Sequence, residues 1–209
     1  MILAIDTSAH VAVSVVSGDD VLAARSEDAP RGHAELLSGL VRDAMADARV
    51  TSADLERLVV GTGPAPFTGL RVGLVTARTL GFAWGIPVLG VCSLDALGAQ
   101  HGDVTVVADA RRKEVYWARY REGQRVDGPN VGSPESVGAA GFTVGPGALL
   151  YPEAFPDAVA GNVDPAWLAR VATRRLGAGE SQETDFPTEP MYLRRPDVHG
   201  GPLTGVLGS

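Results

Sequence analysis

Small residues recur at every fourth position from Gly69 through Gly73, Ala77 and Gly81 to Gly85. Neighbours in that series share one face of a helix, and a glycine inside a helix costs roughly 0.5–1 kcal/mol against alanine. Such a ridge requires another backbone close by, either a strand of the chain's own sheet or a helix of a second subunit. The helix is entered through Gly61-Thr62-Gly63-Pro64-Ala65-Pro66-Phe67-Thr68-Gly69, a loop stiffened by its prolines, with Thr68 placed to cap the helix. A helix N-terminus of this kind favours anions. The loop is not a Walker A motif, because no Lys-Ser/Thr pair closes it. It is not a dinucleotide fingerprint either, because Pro66 stands where the third glycine should be. A rigid strand-to-helix connection is the alternative reading.

Apolar periodicity around this helix gives an alternating α/β order. Residues 2–6 read as a central strand, and 10–16 and 21–26 flank the turn Ser17-Gly18-Asp19-Asp20, so three antiparallel strands are expected. A helix is predicted over 32–48, where Leu36, Leu37, Leu40, Val41, Ala44, Met45 and Ala48 return to one face. Thr51-Ser52-Ala53-Asp54 resembles a capping box and opens a short helical turn. Residues 58–60 and 88–91 read as strands, and 69–84 and 93–100 as helices. The pattern then repeats in shortened form: strands over 104–108 and 114–120, a weak helix near 134–140, a strand over 142–144 and a helix over 165–176.

The first-half order is that of the ribonuclease-H-like fold. Two such units side by side make the actin-like (ASKHA) arrangement of sugar kinases and Hsp70. The expected organisation is therefore an N-terminal ribonuclease-H-like subdomain over 1–101, a reduced one over 102–195, and a flexible, glycine-rich tail over 196–209. Fold analogy of this kind says little about function.

Composition narrows the function classes. The 209 residues are 45% hydrophobic and 21% charged, an ordinary globular profile. No apolar run approaches the roughly 20 residues a membrane helix needs, and MILAIDTS has no positive n-region, so it reads as a strand and not a signal peptide. The lone Cys92 excludes an internal disulfide framework and suits a reducing cytoplasm, where a buried, inert thiol is expected. A formal net charge of −7 with dispersed basic residues describes a poor autonomous nucleic-acid binder.

Candidate sites are few. Asp6-Thr7-Ser8 ends the first strand, where actin-like ATPases cradle phosphates, yet the turn has none of the glycines that let an anion approach. With Thr68 it forms a candidate nucleotide or anion turn, a structural aspartate being the alternative. Asp109-Ala110-Arg111-Arg112 occupies the matching place in the second half; its arginines could hold phosphate or form a solvated turn. His10, His33, His101 and His199 include no pair at helical metal-ligand spacing. No Gly-x-Ser-x-Gly elbow is present. No catalytic residue, metal ligand or tightly held cofactor is therefore expected.

Taken jointly, Ile5-Asp6-Thr7-Ser8, Gly63-Pro64-Ala65-Pro66-Phe67-Thr68-Gly69-Leu70-Arg71-Val72-Gly73, Gly90-Val91-Cys92-Ser93-Leu94-Asp95-Ala96-Leu97, Asp109-Ala110-Arg111-Arg112-Lys113-Glu114-Val115-Tyr116-Trp117-Ala118 and Tyr192-Leu193-Arg194 resemble the TsaB (YeaZ-type) proteins. The match is strong over 1–118 and thin through most of the second half. In the catalytic paralogue, TsaD, a His-x-x-x-His helix binds a metal; here Ser93 and Leu97 fall on those positions. The resemblance implies a non-catalytic, cytoplasmic subunit that supports a TsaD-type threonylcarbamoyltransferase acting on the adenosine next to the anticodon of tRNA. A TsaE-type ATPase would join that pair, with ATP or ADP entering at the level of the complex. Alone, the chain would form a homodimer, touching tRNA only indirectly. On this resemblance the partner surface is expected at Leu36, Leu37, Leu40, Val41, Ala44, Gly69, Gly73, Ala77, Leu80, Gly81 and Trp84. The competing readings are an actin-like ATP-dependent phosphotransferase, a metallopeptidase-like enzyme, and a stand-alone homodimeric scaffold.

Overall fold

The computed structural model describes residues 1–28, 33–138 and 141–194, without the side chains of residues 33, 34, 67 and 68. The expected tail, the first residue of the helix predicted from Gly32, and the end of the weak helix near 140 lie outside the described residues.

The first sheet contains β1 (Ile2–Asp6), β2 (Val11–Ser17), β3 (Asp20–Glu27), β4 (Arg57–Gly61) and β5 (Val88–Val91), in the order β3-β2-β1-β4-β5. β1, β2 and β3 are antiparallel, while β4 and β5 run parallel to β1. Helices α1 (His33–Ala48), α2 (Phe67–Trp84) and α3 (Ser93–His101) connect and cover them. Alternation along β1 divides the core. Leu3 and Ile5 face a cluster with Leu37, Leu40, Leu70, Leu74 and Ala77 of α1 and α2, whereas Ala4 faces Leu94, Leu97 and Leu168 on the other side. Burial on both faces is why this strand reads as a continuous apolar run.

The second sheet contains β6 (Val104–Arg111), β7 (Glu114–Arg121), β8 (Gln124–Gly132) and β9 (Thr143–Val144), ordered β8-β7-β6-β9. It repeats β3-β2-β1-β4 of the first sheet, and in the place of β5 the described residues have only a single parallel bridge, Val159 to Val144 of β9. Its helix α4 (Pro165–Gly177) packs against β1, β2 and β4 and against α3. Asp164 caps α4 by accepting the Ala166 N–H at 2.9 Å, with Pro165 at the first helical position. One core cluster thus takes Val104, Val106 and Ala118 from the second sheet and Ala4, Val59 and Leu89 from the first.

The second half departs from expectation in two places. β8 is a strand absent from the expected elements, and it runs through Gly128-Pro129. It is an edge strand, so a proline without N–H is tolerated, and the register with β7 shifts nearby. The weak helix near 134–140 is a 3₁₀ turn over Pro134–Val137. No helix among the described residues is long and apolar enough to cross a membrane.

Candidate functional site

The turn after β1 is closed on itself. Asp6 is fully buried; one carboxylate oxygen accepts the Ser8 N–H at 2.8 Å and the Ser8 hydroxyl at 2.5 Å, and the other accepts the Ser93 hydroxyl at 2.6 Å. Ser93 Oγ in turn accepts the Gly63 N–H at 3.1 Å, tying α3 and the Gly-Pro loop to β1. A Cβ on Gly61 would fall on the Asp6 carboxylate, which explains that glycine. Burial pushes the Asp6 carboxyl above its ordinary range, and the hydrogen bonds from Ser8 and Ser93 work against that rise. Thr7 is also turned inward, donating to the Gly69 carbonyl at 2.9 Å and accepting the Gly73 N–H at 3.2 Å. Of the expected anion turn, Ser8 lines a cavity, Asp6 and Thr7 serve the interior, and the Thr68 side chain lies outside the described residues.

The inward links of Thr7 correct the expectation for the small-residue ridge. A Cβ on Gly73 would strike the Thr7 hydroxyl, and one on Gly81 would strike Val88. Ala77 is wholly buried in the same core as Leu3, Ile5 and Leu58. Gly73, Ala77 and Gly81 therefore face the chain's own sheet and offer nothing to another subunit. Leu37, Leu40, Val41 and Ala44 are likewise buried between α1 and that sheet, so they too leave the partner surface. The reason is geometric: α2 must close onto β1, β4 and β5 at backbone distance, and α1 must cover the three-stranded side with larger aliphatics. Gly69, Leu36, Leu80 and Trp84 are half-buried.

The opposite face of α2 is different in kind. Val75 is 62% exposed and Phe82 92% exposed, and the two lie on one helical stripe. Around them Arg78 reaches Thr188 at 2.8 Å and Glu189 at 2.9 Å, and Arg71 reaches the Tyr192 hydroxyl at 2.7 Å. These contacts hold the late segment against α2 beside the apolar pair. That segment also supplies the Phe186 carbonyl to Gly90 N–H at 3.1 Å and the Met191 N–H to the Thr62 carbonyl at 2.8 Å. Sequence reasoning missed Val75 and Phe82. Their signal was present as large apolar residues off the ridge on the same helix.

Between the two sheets lies a cavity of about 240 Å³ lined by Ser8, Pro64, Pro66, Leu97, Leu150 and Arg111, among others. Its walls are largely apolar. Ser93 and Leu97, on the positions where the paralogue carries metal ligands, are both buried, Ser93 bonded to Asp6 and Leu97 in the inter-sheet core. Among the described residues no group of three His, Cys, Asp or Glu could hold a metal. Cys92 is buried and its thiol is pushed up to about 12, chiefly by desolvation, as expected of an inert cysteine. Asp109, in the matching place of the second sheet, accepts the Arg111 N–H at 2.8 Å and pairs with its guanidinium at 3.4 Å.

Two unequal sheets with the same strand order, helices on the larger one and a cleft between them define an actin-like α/β protein with a reduced second lobe. The family model for TsaD, tRNA N6-adenosine threonylcarbamoyltransferase, matches residues 25–148. The chain is 31% identical to a Pseudomonas aeruginosa protein described as similar to peptidase YeaZ, with a TM-score of 0.75 over 92% of this chain and 99% of that one. It is 35% identical to the Escherichia coli tRNA threonylcarbamoyladenosine biosynthesis protein TsaB over 57% of this chain and 54% of the relative. The chain belongs to this family, as a TsaB (YeaZ-type) member. An uncharacterized protein of Mycobacterium tuberculosis (strain H37Rv) is 45% identical over 94% of the chain and 93% of its own length. One from Mycobacterium leprae is 43% identical over 95% of the chain, which spans only 56% of that longer relative.

Proposed function

We propose that this chain is a non-catalytic subunit of the machinery that forms threonylcarbamoyladenosine in tRNA, and that it works by binding a TsaD-type catalytic partner in the cytoplasm. The observation that carries this reading is the solvent-facing apolar pair Val75 and Phe82 on α2. A nearly free phenylalanine on a rigid helix is what an aromatic interface anchor looks like before its partner arrives. Half-buried Gly69, Leu80 and Trp84 lie on the far side of α2 from this pair, Leu80 and Trp84 packing against the core of the first sheet, so with Leu36 of α1 they would join the surface only at its margin. The same face would pair two copies of the chain when the partner is absent. A TsaE-type ATPase would join through the pair, nucleotide would enter at that level, and tRNA would be held mainly by the assembly.

The inward engagement of Asp6, Thr7 and Ser93 supports the non-catalytic part of the reading, since none of them presents a free group to a substrate. The test is co-purification of the full chain with a TsaD-type protein from the same organism, followed by measurement of the modified nucleoside in cells depleted of the chain. Stable co-elution and loss of the nucleoside are expected. Failure of both, or turnover by the isolated chain, would overturn the proposal.

A further inference from the structure

The face of the first sheet that turns toward α4 is hollow along β2 and β3. Side chains alternate along a strand, so His10, Ala12, Ser14 and Val16 share that face, and Val16 lies in the core cluster that includes α4. Small residues oppose one another across the strand pair, Ala12 with Ser26 and Ser14 with Ala24. The chain entering α4, from Asn162 to Pro165, passes over them and leaves a cavity of about 350 Å³. This is the side of the sheet away from α1 and α2, so the cavity is separate from the proposed partner face.

His10 lines the cavity and supplies the reason to read it as a site. The residue is only 7% exposed, and its Nδ1 is shut off from solvent without a hydrogen-bond partner. A buried donor or acceptor left unpaired is costly, and native chains retain few of them. The charge of His10 favours the ionised Asp6 carboxyl, but that influence acts through space and leaves Nδ1 unpaired.

The lining selects the ligand. With one oxygen Asp164 accepts the Ser14 hydroxyl at 3.3 Å and the Ala166 N–H at 2.9 Å, and Asp28 adds a second carboxylate. Arg25 alternates with Ala24 and its guanidinium pairs with Asp47 of α1, on the other face of the sheet. An anion is poorly served by the α4 N-terminus: Pro165 has no N–H, and Asp164 takes those of Ala166 and Trp167, the latter through its carbonyl at 3.0 Å. A metal ion is no better served, because among the described residues no three His, Cys, Asp or Glu converge. Carboxylates mixed with hydroxyl, amide and imidazole groups suit an ammonium, whose three donors can turn to whatever acceptors surround it.

We propose that the cavity between His10 and Asp164 binds a small organic cation carrying an ammonium group. The two carboxylates supply the charge, and His10 Nδ1 accepts a hydrogen bond from the ligand.

The test titrates the full chain with 1,4-diaminobutane and follows the His10 imidazole resonances by NMR, against sodium chloride at matched ionic strength. The diamine should shift these resonances saturably, and the salt should not. Asp164→Asn keeps a good N-cap and should weaken binding about tenfold, as for a lost hydrogen bond to a charged group. Ala24→Leu, at an exposed position facing the hollow, should fill it and abolish binding with the melting temperature unchanged. His10→Phe removes the unpaired atom, so it should melt about 2–4 °C higher and lose the stabilisation that the diamine gives the parent chain. Absence of a saturable shift, an equal response to salt, or parental affinity in both Asp164→Asn and Ala24→Leu would overturn the proposal. Tighter binding of magnesium than of the diamine would overturn it as well. So would a lower melting temperature for His10→Phe with diamine affinity intact, since His10 would then serve Asp6 alone.

Discussion

The two faces of α2 use apolar chemistry in opposite ways. On the inner face Gly73, Ala77 and Gly81 bring the helix onto its own sheet at backbone range, where a Cβ at Gly73 would meet Thr7 and one at Gly81 would meet Val88. On the outer face Val75 and Phe82 project large groups into solvent. Smallness marks a contact already made within the chain; exposed bulk is where the proposed partner contact would form. A ridge of small residues by itself does not say which backbone approaches it.

Substituting Ala77 with tryptophan should produce the largest effect that separates the faces. Ala77 is fully buried, with no space for an indole between α2 and β1. Overpacking costs roughly 1–3 kcal/mol and occasionally more, and a change of this size belongs at the upper end. At ~2–4 °C per kcal/mol for a chain of this length, the free protein should melt roughly 6–12 °C lower. Differential scanning calorimetry on the isolated chain checks it. An unchanged melting temperature would return the ridge to the surface and undo the comparison.

Phe82→Asp should do the reverse. With the side chain 92% exposed, folding stability should stay within about ±0.5 kcal/mol. Association should suffer as at an interface anchor, by about 2 kcal/mol or some 30-fold in affinity. Sedimentation of the isolated chain and co-purification with a TsaD-type protein read this directly. Intact association together with intact stability would show that the outer face is idle.

The sequence made the element order of the first half legible because its signals are local: the apolar run of β1, the Ser17–Asp20 turn, and three- and four-residue spacing in α1. It also singled out Asp6, the Gly-Pro loop and the small-residue ridge as places of constraint. Direction was the missing information. Whether Gly73 faces inward depends on Thr7 lying across from it, 66 residues away in the chain. The Ser93–Asp6 bond spans 87 residues and has no local signature. β8 was obscured because Pro129 reads as a breaker unless the strand is known to be an edge.

The smallest effect concerns the polar anchor beneath the entry to α2, and it turns on pH. Burial raises the Asp6 carboxyl above its ordinary value, while the Ser93 hydroxyl holds it partly down. A carboxyl raised in the folded state binds its proton more tightly there than in the unfolded chain. Its stabilising contribution is therefore complete below the unfolded value near 3.8 and is lost as pH climbs through the raised folded value. Ser93→Ala removes a donor to the charged form and moves the folded value higher still. The variant should thus be destabilised most at neutral pH, by about 1.5 kcal/mol, the low end for a hydrogen bond to a charged group. The deficit should shrink toward acid, as Asp6 takes up its proton and no longer needs the Ser93 hydroxyl as a donor. Chemical denaturation of both proteins at several pH values between about 4 and 8 checks this. A deficit independent of pH would mean that Ser93 acts through packing and the Gly63 N–H alone, and that the charge on Asp6 has no part in fixing the inner face of α2.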